Sequence, residues 1–204
     1  MLRLQRKQRM PYLYLAPGIL MILLIMVIPI MQGFIYSLMN YNLASVGPNT
    51  FAGFTNYFKL LSDVKFRLAF LQTVTFVAFA LAFEFLIGFL FAILFRQNFR
   101  GKHFLLGIRL LPWMMPQSVT AFMWSWILNG TSGILNSVLL SFGLITENIE
   151  WLSTPGLTLG VIIFIDIWTF TPFVTLVLYA GLQGIPQHLY EAATIDGAGV
   201  FKKT

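Results

Sequence analysis

The chain has 204 residues, of which 58% are hydrophobic and only 10% are charged, and it contains no cysteine. A soluble domain carries about 25% charged residues, so this chain lacks the polar residues to cover a water-facing surface and its composition predicts an all-α integral membrane protein. The lack of cysteine excludes disulfide frameworks and thiolate metal sites. The net charge of +6 does not indicate nucleic acid binding, because the basic residues cluster at the ends of apolar segments.

Four segments are long and apolar enough to cross a membrane, since a spanning helix needs about 20 largely apolar residues. They cover residues 13–38, 69–95, 104–128 and 157–182. We therefore expect a multi-span helical bundle in residues 13–182. A basic N-terminus over residues 1–12 precedes it, and a polar segment over residues 183–204 follows it.

The positions of lysine and arginine predict the orientation of these spans. With the N-terminus in the cytoplasm, ten of the thirteen basic residues lie inside and three, Lys59, Lys65 and Arg67, lie outside. Cytoplasmic loops carry the excess of basic residues, so we expect both termini in the cytoplasm. The basic start resembles a signal peptide, but the apolar run exceeds the 7–15 residues of such peptides, which favours an uncleaved span.

Glu84 lies near the middle of the second predicted span, at a depth where a charge is costly and usually faces protein or water. Ala80, Gly88 and Ala92 repeat at intervals of four residues around it, so all four share one helix face. Small residues at this spacing let helices approach closely. We expect Glu84 in a helix–helix seam, either as a structural hydrogen-bonded acid or as part of a solute path.

Asp166 is the second intramembrane acid. Thr169 shares its face, Trp168 lies beside it, and Pro172 leaves the Trp168 carbonyl without its usual helical donor. An acid, a hydroxyl, an indole and a loosened backbone suit a polar solute such as a sugar. Asp166, Trp168, Thr169 and Glu84 are therefore the candidate substrate-pathway residues. The alternative for Asp166 is a structural role, in which it caps or pairs with a helix of another subunit.

Prolines and tryptophans mark the segments between these two acids. Pro112 and Pro116 predict bends in the third span, either beside a cavity or as packing kinks. The apolar stretch 134–144 of the following loop predicts a short helix. Three indoles near the predicted outer interface are typical of an aromatic belt; they are Trp124, Trp126 and Trp151.

The polar segment after the fourth predicted span has the pattern of a compact docking element. Pro186 suits the first turn of a helix, and Leu189, Ala192 and Ala193 form a shallow apolar stripe. Gly197 accepts a left-handed backbone and predicts the end of that helix. A second short element is expected to start near residue 200. These residues alone indicate a protein-docking helix–turn–helix.

The same segment, EAATIDGAG at 191–199, resembles the EAA signature of the maltose-type sugar permeases of binding-protein-dependent ABC importers. Other stretches that resemble this family follow in its order, including FAGFTNY at 51–57, LLPW at 110–113 and GILN at 133–136. The resemblance implies a coupling loop that docks on an ATPase, with Glu191 as polar anchor and Gly197 as the turn. The implied loop residues are Glu191, Ala192, Ala193, Asp196, Gly197 and Ala198.

The resemblance also implies the partners and the compartment. It implies a homodimeric ATP-binding subunit that carries the ATP, a second permease subunit, an extracytoplasmic solute-binding protein and the lipid of a bacterial inner membrane. ATP-driven movement of the loop would switch the spans between inward-facing and outward-facing states. No catalytic residue, metal site or cofactor is expected in this chain, and no nucleic acid partner.

Members of that family continue for about two more spans after the coupling loop, so we expect this sequence to be a fragment or a truncated reading frame. Two alternative functions stay open: a secondary transporter or channel subunit, and an inactive truncated permease. Inverted repeats would favour a secondary transporter, and the sequence has none that we recognise. No lysine or arginine lies in a span core, which favours a neutral solute.

Overall fold

The computed structural model describes residues 12, 14–41, 50–197 and 199. Ala198, one of the predicted coupling residues, and the predicted element from residue 200 lie outside these ranges. The chain divides into two compact units, one up to Phe70 and one from Leu71 onward. Each unit is described separately below.

The first unit begins with helix α1, Tyr14–Ser37, which is apolar and exposed along its length. Its backbone widens into a π-helical stretch at Leu23–Val27, which ends two residues before Pro29. Proline has no N–H and its ring clashes with the carbonyl four residues earlier, and a π-helical turn is one way for a helix to absorb that loss. The described residues of the first predicted span, Tyr14–Ser37, thus form one continuous helix.

A short hairpin and a second helix follow α1. Strand β1, Met39–Asn40, pairs antiparallel with β2, Thr50–Phe51, and helix α2 covers Thr55–Ser62. The Asn56 side chain donates hydrogen bonds to the carbonyls of Ser37 and Met39, both at 3.0 Å. The stretch 51–57 therefore closes the C-terminal end of α1, which gives its asparagine a structural role.

The second unit consists of helices, and α3 enters it from the first unit. The elements are α3 (Val64–Arg96), α4 (Lys102–Met114), α5 (Gln117–Ile127), α6 (Ile134–Ser141), α7 (Leu157–Gln183) and α8 (Gln187–Ile195). Within the described ranges, three helices are long and apolar enough to cross a membrane: α1, α3 and α7. They correspond to the first, second and fourth predicted spans, and α6 confirms the predicted short loop helix.

The third predicted span, residues 104–128, is not one helix. It forms α4 and α5, which are separated by Met115 and Pro116 in extended conformations with ψ of 139° and 134°. Proline disfavours the helical conformation of the residue before it and donates no backbone hydrogen bond. Pro112, by contrast, lies inside α4. The bend predicted at Pro116 is therefore a full break between two helices.

A stripe of small residues brings α3 and α7 together. The buried residues of α3 are Ala80, Glu84, Gly88, Ala92 and Phe95, which confirms the predicted face. A Cβ atom added at Gly88 would lie 2.9 Å from Val174 Cγ1 and 3.3 Å from the backbone nitrogen of Thr175. Glycine is therefore needed here for the close approach of the two helices.

The segment between α5 and α7 is organised by one buried asparagine. Asn136 is 2% exposed and donates to the carbonyls of Gly130 at 3.1 Å and Ile149 at 3.0 Å. Its carbonyl oxygen accepts hydrogen bonds from Trp151 Nε1 at 2.9 Å and from the Ile149 amide at 3.3 Å. This network explains why GILN at 133–136 occurs together with a tryptophan at position 151.

We predict that Asn136→Ala unfolds this loop locally. The substitution leaves at least one buried donor and two carbonyls unpaired, and each unsatisfied group costs about 1–3 kcal/mol. Hydrogen–deuterium exchange over residues 129–151 should rise strongly. Asn148→Ala is the matched control, because Asn148 is exposed and its side chain donates to the Thr131 carbonyl over a longer distance of 3.3 Å. Equal exchange in the two variants would contradict the prediction.

Two of the three tryptophans expected in an aromatic belt have internal contacts. Trp151 donates to Asn136, and Trp124 packs edge-on against Trp168 and Phe164. Trp126 alone of the three is strongly exposed, at 78%. The belt interpretation did not anticipate these contacts, because position near an interface does not reveal which indoles have protein neighbours.

Candidate functional site

The two intramembrane acids lie together. The carboxyl groups of Glu84 on α3 and Asp166 on α7 are in hydrogen-bonding contact. Glu84 is 5% exposed and Asp166 is half-buried. The sequence placed the two acids on separate spans, and only the packing of α3 against α7 brings them into contact.

The two other predicted pathway residues follow Asp166 on α7. Thr169 is buried, and its hydroxyl donates to the carbonyl of Ile165 at 2.7 Å. Trp168 is half-buried, and its ring meets that of Trp124 edge-on, with centroids 5.4 Å apart. The indole of Trp168 is thus held in place, while the Thr169 hydroxyl is already engaged within its own helix.

A cavity of about 400 Å³ lies beside Trp168, between α3, α4 and α7. Its walls are apolar apart from Arg109, Trp168 and Thr171. The lining residues are Ile87, Ile108, Arg109, Pro112, Phe164, Ile167, Trp168, Thr171 and Pro172. Sequence reasoning missed Arg109 as a site residue. The available signal was a basic residue inside a predicted span, three positions before a proline.

A second aromatic pair was also missed. Trp113 on α4 and Phe173 on α7 stack with ring centroids 5.0 Å apart and planes inclined by 20°. Both side chains are partly exposed. Flat, accessible aromatic surface of this kind is the usual wall of a small-molecule site. The pair lies on the same two helices that carry Arg109 and Trp168.

Two buried polar atoms on α5 have no hydrogen-bond partner among the described residues. They are Thr120 Oγ1 and Trp124 Nε1. Thr120 is one of the buried residues of the unit. Buried polar atoms normally have a protein or water partner, so the interior beside α5 has hydrogen-bonding capacity that the described part of the chain leaves unused.

The predicted coupling segment has the local structure expected from its sequence. Helix α8 begins directly after Pro186, and the Asp196 amide donates to the Ala192 carbonyl at 3.0 Å. Gly197 then adopts φ of +74°, the left-handed conformation predicted for it. Glu191, Ala192 and Asp196 are exposed and Ala193 is half-buried. The segment therefore presents an acid and small side chains on an accessible helix.

Residues 84–203 match the family described as the binding-protein-dependent transport system inner membrane component. This stretch begins at the buried acid of α3, contains α4 to α8 and extends past Gly197. It covers more than half of the chain. The chain belongs to this family of inner-membrane permeases.

Individual relatives of this permease chain match along nearly its whole length. The trehalose/maltose transport system permease protein MalF of Thermococcus litoralis is 35% identical over 198 residues, which cover 97% of this chain and 66% of that protein. The sn-glycerol-3-phosphate transport system permease protein UgpA of Escherichia coli is 30% identical over 202 residues, with coverages of 97% and 66%. The permease chain thus spans about two thirds of the length of these relatives.

Solved structures show the same fold. The permease chain is similar to a chain of a bacterial ABC transporter involved in the import of the acidic polysaccharide alginate, with a TM-score of 0.78 and 23% identity. The match covers 98% of this chain and 67% of that one. The prediction of a multi-span helical membrane protein of the ABC permease type is confirmed.

Proposed function

We propose that this chain is the membrane-spanning subunit of an ATP-driven importer that translocates a sugar or a related polar solute. The observation that carries the proposal is the family match over 84–203, which includes both the acid pair and the exposed helix α8. ATP hydrolysis is assigned to a separate subunit, so this chain is not an enzyme and binds no cofactor itself. Transport proceeds by alternating access of the spans.

Helix α8 and the turn at Gly197 are proposed as the coupling element. Glu191 and Ala192 are exposed on α8, and the left-handed Gly197 ends the helix without a side chain. To move together with the ATP-binding subunit, α8 must contact it closely, and small side chains permit such close contact. Glu191 would pair with the ATP-binding subunit, Gly197 would make the turn, and the small side chains of Ala192 and Ala193 would permit close contact.

The acid pair and the aromatic side chains of α7 are proposed to line the solute path. Asp166, which is half-buried, offers a carboxyl group to solute hydroxyls, and Glu84 holds that group in position. Trp168, two residues after Asp166 on α7, supplies an apolar face. The relatives' names specify trehalose or maltose, sn-glycerol 3-phosphate and sulfoquinovosyl glycerol, all of which carry hydroxyl groups. This shared chemistry supports a polyhydroxylated solute.

The remaining partners follow from the same proposal. A homodimeric ATP-binding subunit, a second permease subunit and an extracytoplasmic binding protein would complete the importer in the inner membrane. A related solved structure contains a periplasmic protein with a bound alginate pentasaccharide, which supports the binding-protein partner. The excess of basic residues in the predicted inner segments supports a cytoplasmic N-terminus.

Uptake measurements test the proposal. Cells with the complete transporter should accumulate radiolabelled maltose, trehalose or glycerol 3-phosphate in a manner that requires the ATP-binding subunit. Asp166→Leu should lower uptake at least about tenfold, because hydrogen bonds to a charged group contribute roughly 1.5–3 kcal/mol. Asp166→Asn, which keeps the shape and hydrogen-bonding capacity, should lower it less.

Two controls separate the alternatives. Glu147→Leu removes an exposed acid of the outer loop and should leave uptake unchanged. Flux that persists without the ATP-binding subunit would instead indicate a channel or secondary transporter. No uptake despite a correctly inserted and assembled complex would indicate an inactive permease. Normal uptake by Asp166→Leu would make the acid pair purely structural.

A further inference from the structure

Arg109 is a half-buried cation with no counter-charge among the described residues. It is half-buried on α4, and its Nε atom is sealed from solvent with no hydrogen-bond partner in the described part of the chain. No described acidic side chain offsets its burial. A snorkelling arginine turns its N–H groups toward water, whereas this Nε does not reach it. Buried charges are normally paired, so the site is incomplete as it stands.

The guanidinium is also held in a fixed orientation. Its Cζ atom lies 3.2 Å from the centroid of the Phe91 ring, so the flat face of the group is covered by an aromatic face. Stacked in this way, arginine keeps the N–H groups at its edge available for a planar or tetrahedral oxyanion. Phe91 and the burial of Nε together favour a preorganised donor over a mobile surface charge.

The cavity beside Arg109 limits the size and chemistry of the molecule that could carry such an anionic group. At about 400 Å³ it lies at the small end of ligand sites, which measure about 300–1,000 Å³. Arg109 is its one charged lining residue, and Trp168, Pro112 and Pro172 provide apolar walls. The acid pair of Glu84 and Asp166 is not among the lining residues. The cavity thus combines one cation with surfaces suited to the C–H face of a polyol or sugar.

We propose that this cavity binds a small polyol or sugar that carries a phosphate, carboxylate or sulfonate, with Arg109 as the anion contact and Trp168 as the apolar wall. The preference for a neutral solute, drawn from sequence, arose because Arg109 was not recognised as facing a cavity. The claim that this solute is transported rests on the proposed function. The claim that it binds does not depend on transport and can be measured on its own.

The test is equilibrium binding to the purified full chain in detergent by titration calorimetry. Glycerol 3-phosphate and glycerol differ only in the phosphate, and glucuronate and inorganic phosphate extend the anion series. We expect saturable binding of glycerol 3-phosphate and none of glycerol. Arg109→Gln should raise the Kd for glycerol 3-phosphate at least about tenfold, since a charge-assisted hydrogen bond is lost. The Kd of Arg109→Lys should lie between those of the wild type and Arg109→Gln, because lysine keeps the charge but not the planar group.

Arg67→Gln is the matched control, because Arg67 is exposed near the start of α3 and should leave the Kd unchanged. If no anion binds more tightly than glycerol, or if Arg109→Lys and Arg109→Gln bind as the wild type does, the proposal is overturned. Thermal unfolding of each variant excludes misfolding as the cause of a lost signal.

A phospholipid headgroup shares the glycerol phosphate chemistry, and nanodiscs separate the two sources. Glycerol 3-phosphate should bind equally in phosphatidylcholine and phosphatidylglycerol nanodiscs if the site serves a solute. Loss of binding in phosphatidylglycerol alone would assign the cavity to lipid and overturn the solute proposal. ATP-dependent maltose uptake with no anion binding would overturn this inference while leaving the proposed function intact.

Discussion

Reversal of the charge at Glu191 is expected to abolish binding of the ATP-binding subunit. Glu191 is exposed on α8, so replacement by lysine changes its contacts with a partner without disturbing a buried core. A charge pair at the centre of an interface, once broken by removal of one partner, costs about 2–5 kcal/mol or more, which corresponds to a loss of affinity of at least thirtyfold. Co-purification in detergent measures the loss.

Gly197→Val tests the same element through its backbone. No heavy atom lies within 4 Å of a Cβ built at Gly197, so the substitution introduces no steric clash with other residues. Its φ of +74° is nevertheless a conformation that β-branched residues avoid, at a cost of about 1–3 kcal/mol. The variant should therefore lose ATPase binding through a distorted turn while α7 remains inserted.

Two matched controls belong to this experiment. Glu147→Lys makes the same charge change at an exposed site of the outer loop, and Gly181→Ala adds a methyl group to α7 where no heavy atom lies within 4 Å. Both should bind the ATP-binding subunit as the wild type does. If Glu191→Lys and Gly197→Val bind the ATP-binding subunit as the wild type does, α8 is not the coupling element. That result would favour a channel or scaffold that works without an ATPase.

Gly88→Ala should destabilise the packing of α3 against α7. The new methyl group would sit 2.9 Å from Val174 Cγ1 and 3.3 Å from the Thr175 backbone nitrogen, and the backbone cannot yield as a flexible side chain would. Overpacking of this kind costs about 1–3 kcal/mol. The midpoint of thermal unfolding in detergent should fall, and Gly88→Leu should prevent the close approach of the two helices altogether.

The control for this seam is Gly107→Ala on α4, where a Cβ meets no heavy atom within 4 Å. Alanine has a higher helix propensity than glycine by about 0.8–1.0 kcal/mol, so this variant should be as stable as the wild type or more so. The two substitutions are chemically identical and should shift stability in opposite directions. If the Gly88→Ala protein is as stable as the Gly107→Ala protein, the contact between α3 and α7 has room for a methyl group and the prediction is wrong.

Local patterns allowed correct predictions wherever the cause lay within one segment. The lengths of the apolar runs predicted α1, α3 and α7, because the thickness of a membrane sets the length of a spanning helix. The four-residue spacing from Ala80 to Ala92 predicted the buried face of α3, because that spacing brings side chains to one side of a helix. The left-handed turn at Gly197 followed from the conformational freedom of glycine.

The contacts that form the candidate site were decided by tertiary structure. Helical periodicity states which residues share a face, but it does not state which residues of another helix lie opposite. The contact of Glu84 with Asp166 joins residues 82 positions apart, and the link from Asn136 to Trp151 crosses a loop. The cavity beside Arg109 likewise depends on how α3, α4 and α7 pack, because the register of packed helices is set by side-chain interlocking along all of them.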